Sequence, residues 1–148
     1  MYDASFVSDY LTSDHKRLDL ILDSLVKAVR LEKSLELQQS LFSLFKQGIM
    51  RHIHWEESVL FPIFERESKL TDGPTRIMKA DHSEMSSVLN SLEDTLDYQM
   101  DLEKLIALGN CLDEHNLKEK RILYPSIERM LDQSTQEMIA VAISREFT

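Results

Sequence analysis

Five histidines occur among the 148 residues, and four of them, His15, His52, His82 and His115, fall on stripes that helical spacing directs inward. Two are followed four residues later by glutamate, as His52 and Glu56 and as His115 and Glu119. A residue four positions on lies about 40° round an α-helix from the first, so each pair presents an imidazole and a carboxylate on one face. Neutral imidazole and carboxylate suit iron, manganese or zinc, whereas calcium and magnesium want mostly oxygen and copper(I) wants sulfur. Six such ligands exceed the needs of one ion. They suffice for two, particularly if both carboxylates bridge and a solvent oxide or hydroxide completes the shell, and open positions would remain. The carboxylate-rich ferritin-type site uses Glu-x-x-His pairs, a spacing absent from this sequence.

Helices are the elements that must position these residues. Only 3 Gly and 3 Pro punctuate the chain, which is rich in Leu, Glu, Lys and Met, and no segment alternates as a strand would. Apolar residues recur at helical spacing over approximately 9–31, 35–68, 75–98 and 102–131, with a shorter stretch near 135–146. The clearest break is Leu70-Thr71-Asp72-Gly73-Pro74, where Gly permits a turn and Pro suits the first helical position. Signals near Ser34 and Asp101 are weaker, and Ser134 with Glu137 predicts a capping box for the last helix.

The two halves repeat one another. Asp14-His15, Leu22 and Ser24-Leu25 correspond to Asp81-His82, Leu89 and Ser91-Leu92 at an offset of 82 − 15 = 67. HIHWEESVLFPIFE at 52–65 corresponds to HNLKEKRILYPSIE at 115–128 at an offset of 115 − 52 = 63. Each half reads as one helical hairpin. The sequence therefore predicts one all-α domain over 1–148, an antiparallel up-down four-helix bundle of two repeated hairpins with a short fifth C-terminal helix.

Inward stripes run through Phe45, Gly48, His52, Glu56 and Val59, and through Leu105, Leu108, Leu112, His115, Glu119 and Ile122. His15 lies among Leu11, Leu18 and Leu22, and His82 among Met78, Met85 and Leu89. A lone histidine on such a stripe is explained as a hydrogen-bonded core residue. Four of them, two paired with inward Glu, would leave several costly polar groups in one core unless a cation joins them. His54 lies about 200° from His52 and is excluded as a surface residue. Cys111, one turn before His115, reads as a small packed residue rather than a redox thiol. Asp14, Asp19, Asp81 and Ser86 are placed to hydrogen-bond ligand imidazoles, although helix capping explains the two aspartates before His15 and His82 equally well. Pro62 and Pro125 should kink their helices, and Trp55, Phe45 and the methionines read as core.

A formal charge of -9, with 17 basic residues interspersed among 26 acidic ones, argues against a nucleic-acid partner. No stretch approaches the length of a membrane span, and the opening MYDASFVSDYL lacks a basic region followed by an apolar run. With a single Cys unable to form an intrachain disulfide, the expectation is a cytoplasmic protein, monomeric or homodimeric.

DHKRLD at 14–19, HIHWEESVLFP at 52–62, DH at 81–82 and HNLKEKRILYP at 115–125 together resemble the hemerythrin HHE cation-binding family over nearly the whole chain. The resemblance implies His15, His52, Glu56, His82, His115 and Glu119 as ligands of two oxo- or hydroxo-bridged iron ions, with Glu56 and Glu119 as bridges and manganese or zinc as substitutes. Oxygen-carrying hemerythrins have a further histidine one turn after the third-helix histidine, and here that position is Ser86. The ligand set instead looks like the branch of iron-sulfur-cluster repair di-iron proteins and iron-sensing domains. The functions implied are binding or sensing of oxygen, nitric oxide or peroxide, then iron handling or cluster repair, then a di-iron oxidase or peroxidase. A bundle without metal is the structural alternative.

Overall fold

A computed structural model of the chain describes residues 5–95 and 100–146. All regular structure among them is helical: α1 (Ser5–Arg30), α2 (Leu35–Trp55), α3 (Phe61–Ser68), α4 (Pro74–Glu93), α5 (Leu102–Lys118), α6 (Tyr124–Met130) and α7 (Gln133–Glu146). A wide π-turn over Glu56–Leu60 joins α2 to α3, and another over Glu119–Leu123 joins α5 to α6. Each π-linked pair is one long helix, so the described residues form five helical stretches. Residues 96–98, expected at the end of the third helix, lie outside the described residues.

The chain breaks where turn and capping chemistry is available. Ser34 Oγ accepts from the Leu37 amide at 3.2 Å, and Asp101 Oδ1 accepts from the Lys104 amide at 3.2 Å, each satisfying one otherwise orphaned donor of a first turn. Pro74 opens α4 directly after Gly73. The last helix corrects the sequence reading: Asp132, not Ser134, is its cap, with Oδ1 2.8 Å from the Thr135 amide. A carboxylate there meets the positive end of the helix dipole as well as the free amide.

α1 packs along α2 and α4 along α5, the two pairs meet through α1 on α5 and α2 on α4, and α7 lies against α1. Two apolar clusters result. One gathers Leu18, Leu22, Phe42, Phe45, Met85, Leu89, Leu105 and Leu108. The other gathers Leu11, Trp55, Leu60, Phe61, Phe64, Met78, Leu123 and Ile127. His15 falls between Leu11 and Leu18, and His82 between Met78 and Met85, so the polar residues occupy the layer between the clusters. Not every methionine is core, since Met50, Met130 and Met138 are exposed.

The π-turns correct two inward stripes. An unbroken α-helix would bring Val59 and Ile122 to the core, but Val59 is only half-buried and Ile122 is 37% exposed, while Leu60 and Leu123 are fully buried. In each turn the amide five residues after the first residue of the turn donates back to it, Phe61 to the Glu56 carbonyl and Tyr124 to the Glu119 carbonyl. One extra residue is absorbed, and everything beyond is rephased by about 100°. Pro62 and Pro125, each the second residue of the helix that follows, are accommodated by these wide turns.

Candidate metal centre

The structure brings all six sequence-predicted residues together. His15, His52, Glu56 and Glu119 form one group, and Glu56, His82, His115 and Glu119 form a second, with the potential ligand atoms of each group within 4.8 Å of one another. The two glutamates are common to both groups and fully buried, and all four histidines are buried. His52 Nε2 lies 2.7 Å from Glu56 Oε1, and His115 Nε2 lies 2.7 Å from Glu119 Oε1. His15 Nε2 is 3.3 Å from Glu119 Oε2, and His82 Nε2 is 3.2 Å from His115 Nε2. His54 faces solvent, as its angular position requires.

Three of the imidazoles are held from behind by carboxylates of a neighbouring helix. Asp14 Oδ2 lies 2.7 Å from His52 Nδ1, Asp81 Oδ2 lies 3.0 Å from His115 Nδ1, and Glu57 Oε2 lies 2.6 Å from His82 Nδ1. A carboxylate on Nδ1 fixes the tautomer that leaves the Nε2 lone pair facing the cluster and raises its basicity. Asp14 and Asp81 thus serve the histidine of the next helix, not the one beside them in sequence. His82 is held by Glu57 and not by Ser86, and Asp19 lines a recess beside His15. Tyr124 Oη donates to Glu119 Oε2 at 2.9 Å. Glu57 and Tyr124 were not found by sequence reasoning. Their signal lies in the repeat, where position 57 corresponds to Lys120 and position 124 to Phe61.

Charge in this layer is tightly shared. Burial, then the charge and close approach of Glu119, raise the Glu56 carboxyl to about 8 against the opposing pull of His52. Burial would raise Glu119 too, but the close approach of His115 and the charges of His15 and His115 hold it well below the usual range. Burial opposes protonation of His52, yet Glu56 and Asp14 outweigh it and lift the imidazole to about 10. His115 is lifted likewise to about 9 by Glu119, Glu56 and Asp81 against its burial. Burial pulls His15 down to about 4, helped by the charges of His52 and His115.

Metal ions fit the donor set. Both oxygens of Glu56 and Oε1 of Glu119 are buried and accept no well-directed hydrogen bond among the described residues, a costly state for carboxylates in an apolar core. Oxygen and imidazole nitrogen directed into one layer match iron, manganese or zinc.

The outer faces behind the two aspartates are related by the duplication but opposite in charge. Arg17, Gln47, Gly48 and Arg51 line a recess of about 230 Å³, and Arg17 Nε donates to Asp14 Oδ1 at 3.0 Å. The corresponding positions carry Glu84, Asn110, Cys111 and Glu114, which line a recess of about 290 Å³ beside Asp81. Lys118 Nζ balances Asp81 at 3.1 Å. Cys111 is half-buried against the core, and burial with the charges of Glu84, Asp81 and Glu114 pushes its thiol upward, which disfavours a reactive thiolate.

A profile of the hemerythrin HHE cation binding domain matches residues 7–127. The chain belongs to this family. Hemerythrin HHE membership implies that the chain binds metal ions, and the matched span includes all six converging residues. Comparison with curated proteins and with solved structures gives no match. Among the described residues, no helix of this hemerythrin-family chain is long and apolar enough to cross a membrane.

Proposed function

We propose that the protein holds a non-haem di-iron centre on His15, His52, Glu56, His82, His115 and Glu119, in an antiparallel up-down bundle of two hairpins, and uses its open coordination positions to bind or sense oxygen, nitric oxide or peroxide. The observation that carries this reading is the sharing of Glu56 and Glu119 by two four-residue groups. Two ions would be held by His15 and His52 in one group and His82 and His115 in the other, with Glu56 and Glu119 available to both, a donor set that would leave room for a further ligand. Ser86, half-buried one turn after His82, leaves the second group without the extra histidine of the oxygen carriers. Bound iron supplies Lewis acidity and one-electron redox chemistry that no side chain here offers. The chain's own part is to hold the imidazoles through Asp14, Asp81 and Glu57, to set Glu119 through Tyr124, and to exclude bulk water with the two apolar clusters. Manganese and zinc would occupy the same donors as substitutes.

A second reading, a di-iron oxidase or peroxidase, is favoured by one observation: Tyr124 places a buried O–H donor against a shared carboxylate. Stopped-flow spectroscopy of the reduced, iron-loaded protein mixed with oxygen, nitric oxide or peroxide separates the readings. A sensor reacts once per centre, whereas an enzyme turns over, and a persistent, fully reversible oxygen adduct would exclude sensing by oxidation and turnover alike and leave oxygen carriage.

A further inference from the structure

The duplication allows the surroundings of His15 and His82 to be compared position by position, and they differ in kind. Around His82, Glu57 closes Nδ1 at 2.6 Å, Phe61 stacks on the imidazole with ring centroids 5.8 Å apart and planes 8° from parallel, and Ile53 is buried. The residues corresponding to Glu57, Phe61 and Ile53 are Lys120, Tyr124 and Asn116, at the offset of 63. There the surface opens into a recess of about 210 Å³ between α1 and α5, whose lining includes Thr12, His15, Asp19, Asn116, Lys120 and Tyr124. Lys120 is exposed and cannot close His15 as Glu57 closes His82, since a cation does not accept from an imidazole N–H.

At about 30 Å³ per water, the recess has room for several solvent molecules, ample for a small ligand to pass, and most of the surface it presents is apolar.

We infer that this recess is the doorway through which the small ligand of the centre enters, and that the residue pair at positions 57 and 120 determines which flank is open. That a ligand uses it rests on the di-iron reading, but the doorway is a property of the chain alone.

The test has two arms. In the metal-free protein, histidine modification by diethyl pyrocarbonate is followed residue by residue with mass spectrometry. His15 should react at least tenfold faster than His82. Lys120→Glu should slow His15, and the exchanged pair Glu57→Lys with Lys120→Glu should transfer the faster rate to His82. Asn116→Ile, copying the other flank, is the second variant, and melting curves confirm that each variant is folded. In the iron-loaded protein, stopped-flow mixing with hydrogen peroxide as the probe should show Lys120→Glu and Asn116→Ile slowing the spectral change about tenfold. Equal labelling of His15 and His82, unchanged by any variant, would overturn the doorway. Labelling as expected with no iron bound would leave the doorway standing and overturn the di-iron reading. Labelling as expected with the peroxide reaction unslowed in both variants would overturn the recess as the ligand's route.

Discussion

Asp14 Oδ2 lies 2.7 Å from His52 Nδ1, while Asp14 Oδ1 accepts from Arg17 Nε at 3.0 Å. Burial alone would raise this carboxyl, but the hydrogen bond and charge of His52 and the Arg17 charge lower it. It therefore stays ionised and fixes the His52 imidazole from behind. Replacing such a partner weakens metal sites by on the order of 10- to 100-fold. Asp14→Asn should weaken iron binding by that order in a chelator competition, whereas Asp19→Asn should leave it within about twofold. Equal affinity of Asp14→Asn and the unmodified protein would remove Asp14 from the site.

Tyr124→Phe tests the contact with Glu119. Phe61 occupies the corresponding place in the first half, so the ring should still pack, and the loss is that of one donor to a buried charged acceptor, about 1–3 kcal/mol. The variant should keep its metal and melt a few degrees lower, with a displaced absorption spectrum. An unchanged spectrum and melting temperature would show that the hydroxyl does not act on the centre.

The two helical glycines behave differently. A Cβ at Gly48 would meet Leu18 Cδ2 at 2.5 Å and Arg17 Nη2 at 3.1 Å, whereas at Gly109 the nearest atom is 3.6 Å away. Leu18 is wholly buried and has little room to move, so Gly48→Ala should destabilise by about 1–3 kcal/mol through overpacking. Gly109→Ala should be neutral or stabilise by up to about 1 kcal/mol from helix propensity. Thermal melting gives the order, and a more stable Gly48→Ala would contradict the close approach of α1 and α2.

Much of the centre was legible because its grammar is local. Histidine and glutamate four residues apart share a helix face whatever surrounds them, and the repeat doubled the signal. What sequence reasoning missed depends on the π-turns and on neighbouring helices. Tyr124 follows Glu119 by five residues, an interval that an α-helix would place about 140° away, and only the wide turn brings it back to the carboxylate. The same rephasing sent Val59 and Ile122 outward in favour of Leu60 and Leu123. Asp14, Asp81 and Glu57 reach histidines 25 to 38 residues distant in sequence, pairings that no single-helix periodicity contains.

The pH dependence of stability should differ between metal-free and loaded protein. In the metal-free fold the neighbouring carboxylates, against burial, lift His52 to about 10 and His115 to about 9, above the ordinary imidazole value of 6.5. Their contribution is present below that value and lost as pH rises through the folded ones. Glu56, raised from 4.5 to about 8, is lost over an overlapping range in the same sense. His15, lowered from 6.5 to about 4, works against folding only below its unfolded value. The metal-free melting temperature should therefore fall between about pH 6.5 and 9. Metal displaces these protons, so the stabilisation it adds should grow over the same interval. A metal-free protein that becomes more stable across this range would contradict the proton placement.

The central claim is most directly tested by the metal stoichiometry of the iron-reconstituted protein, measured by elemental analysis beside His52→Ala, His115→Ala and His54→Ala. The account predicts two irons per chain in the unmodified protein and in His54→Ala, with severe loss from the other two. One ion or none in the unmodified protein, or loss of iron from His54→Ala with full occupancy in His52→Ala, would contradict it.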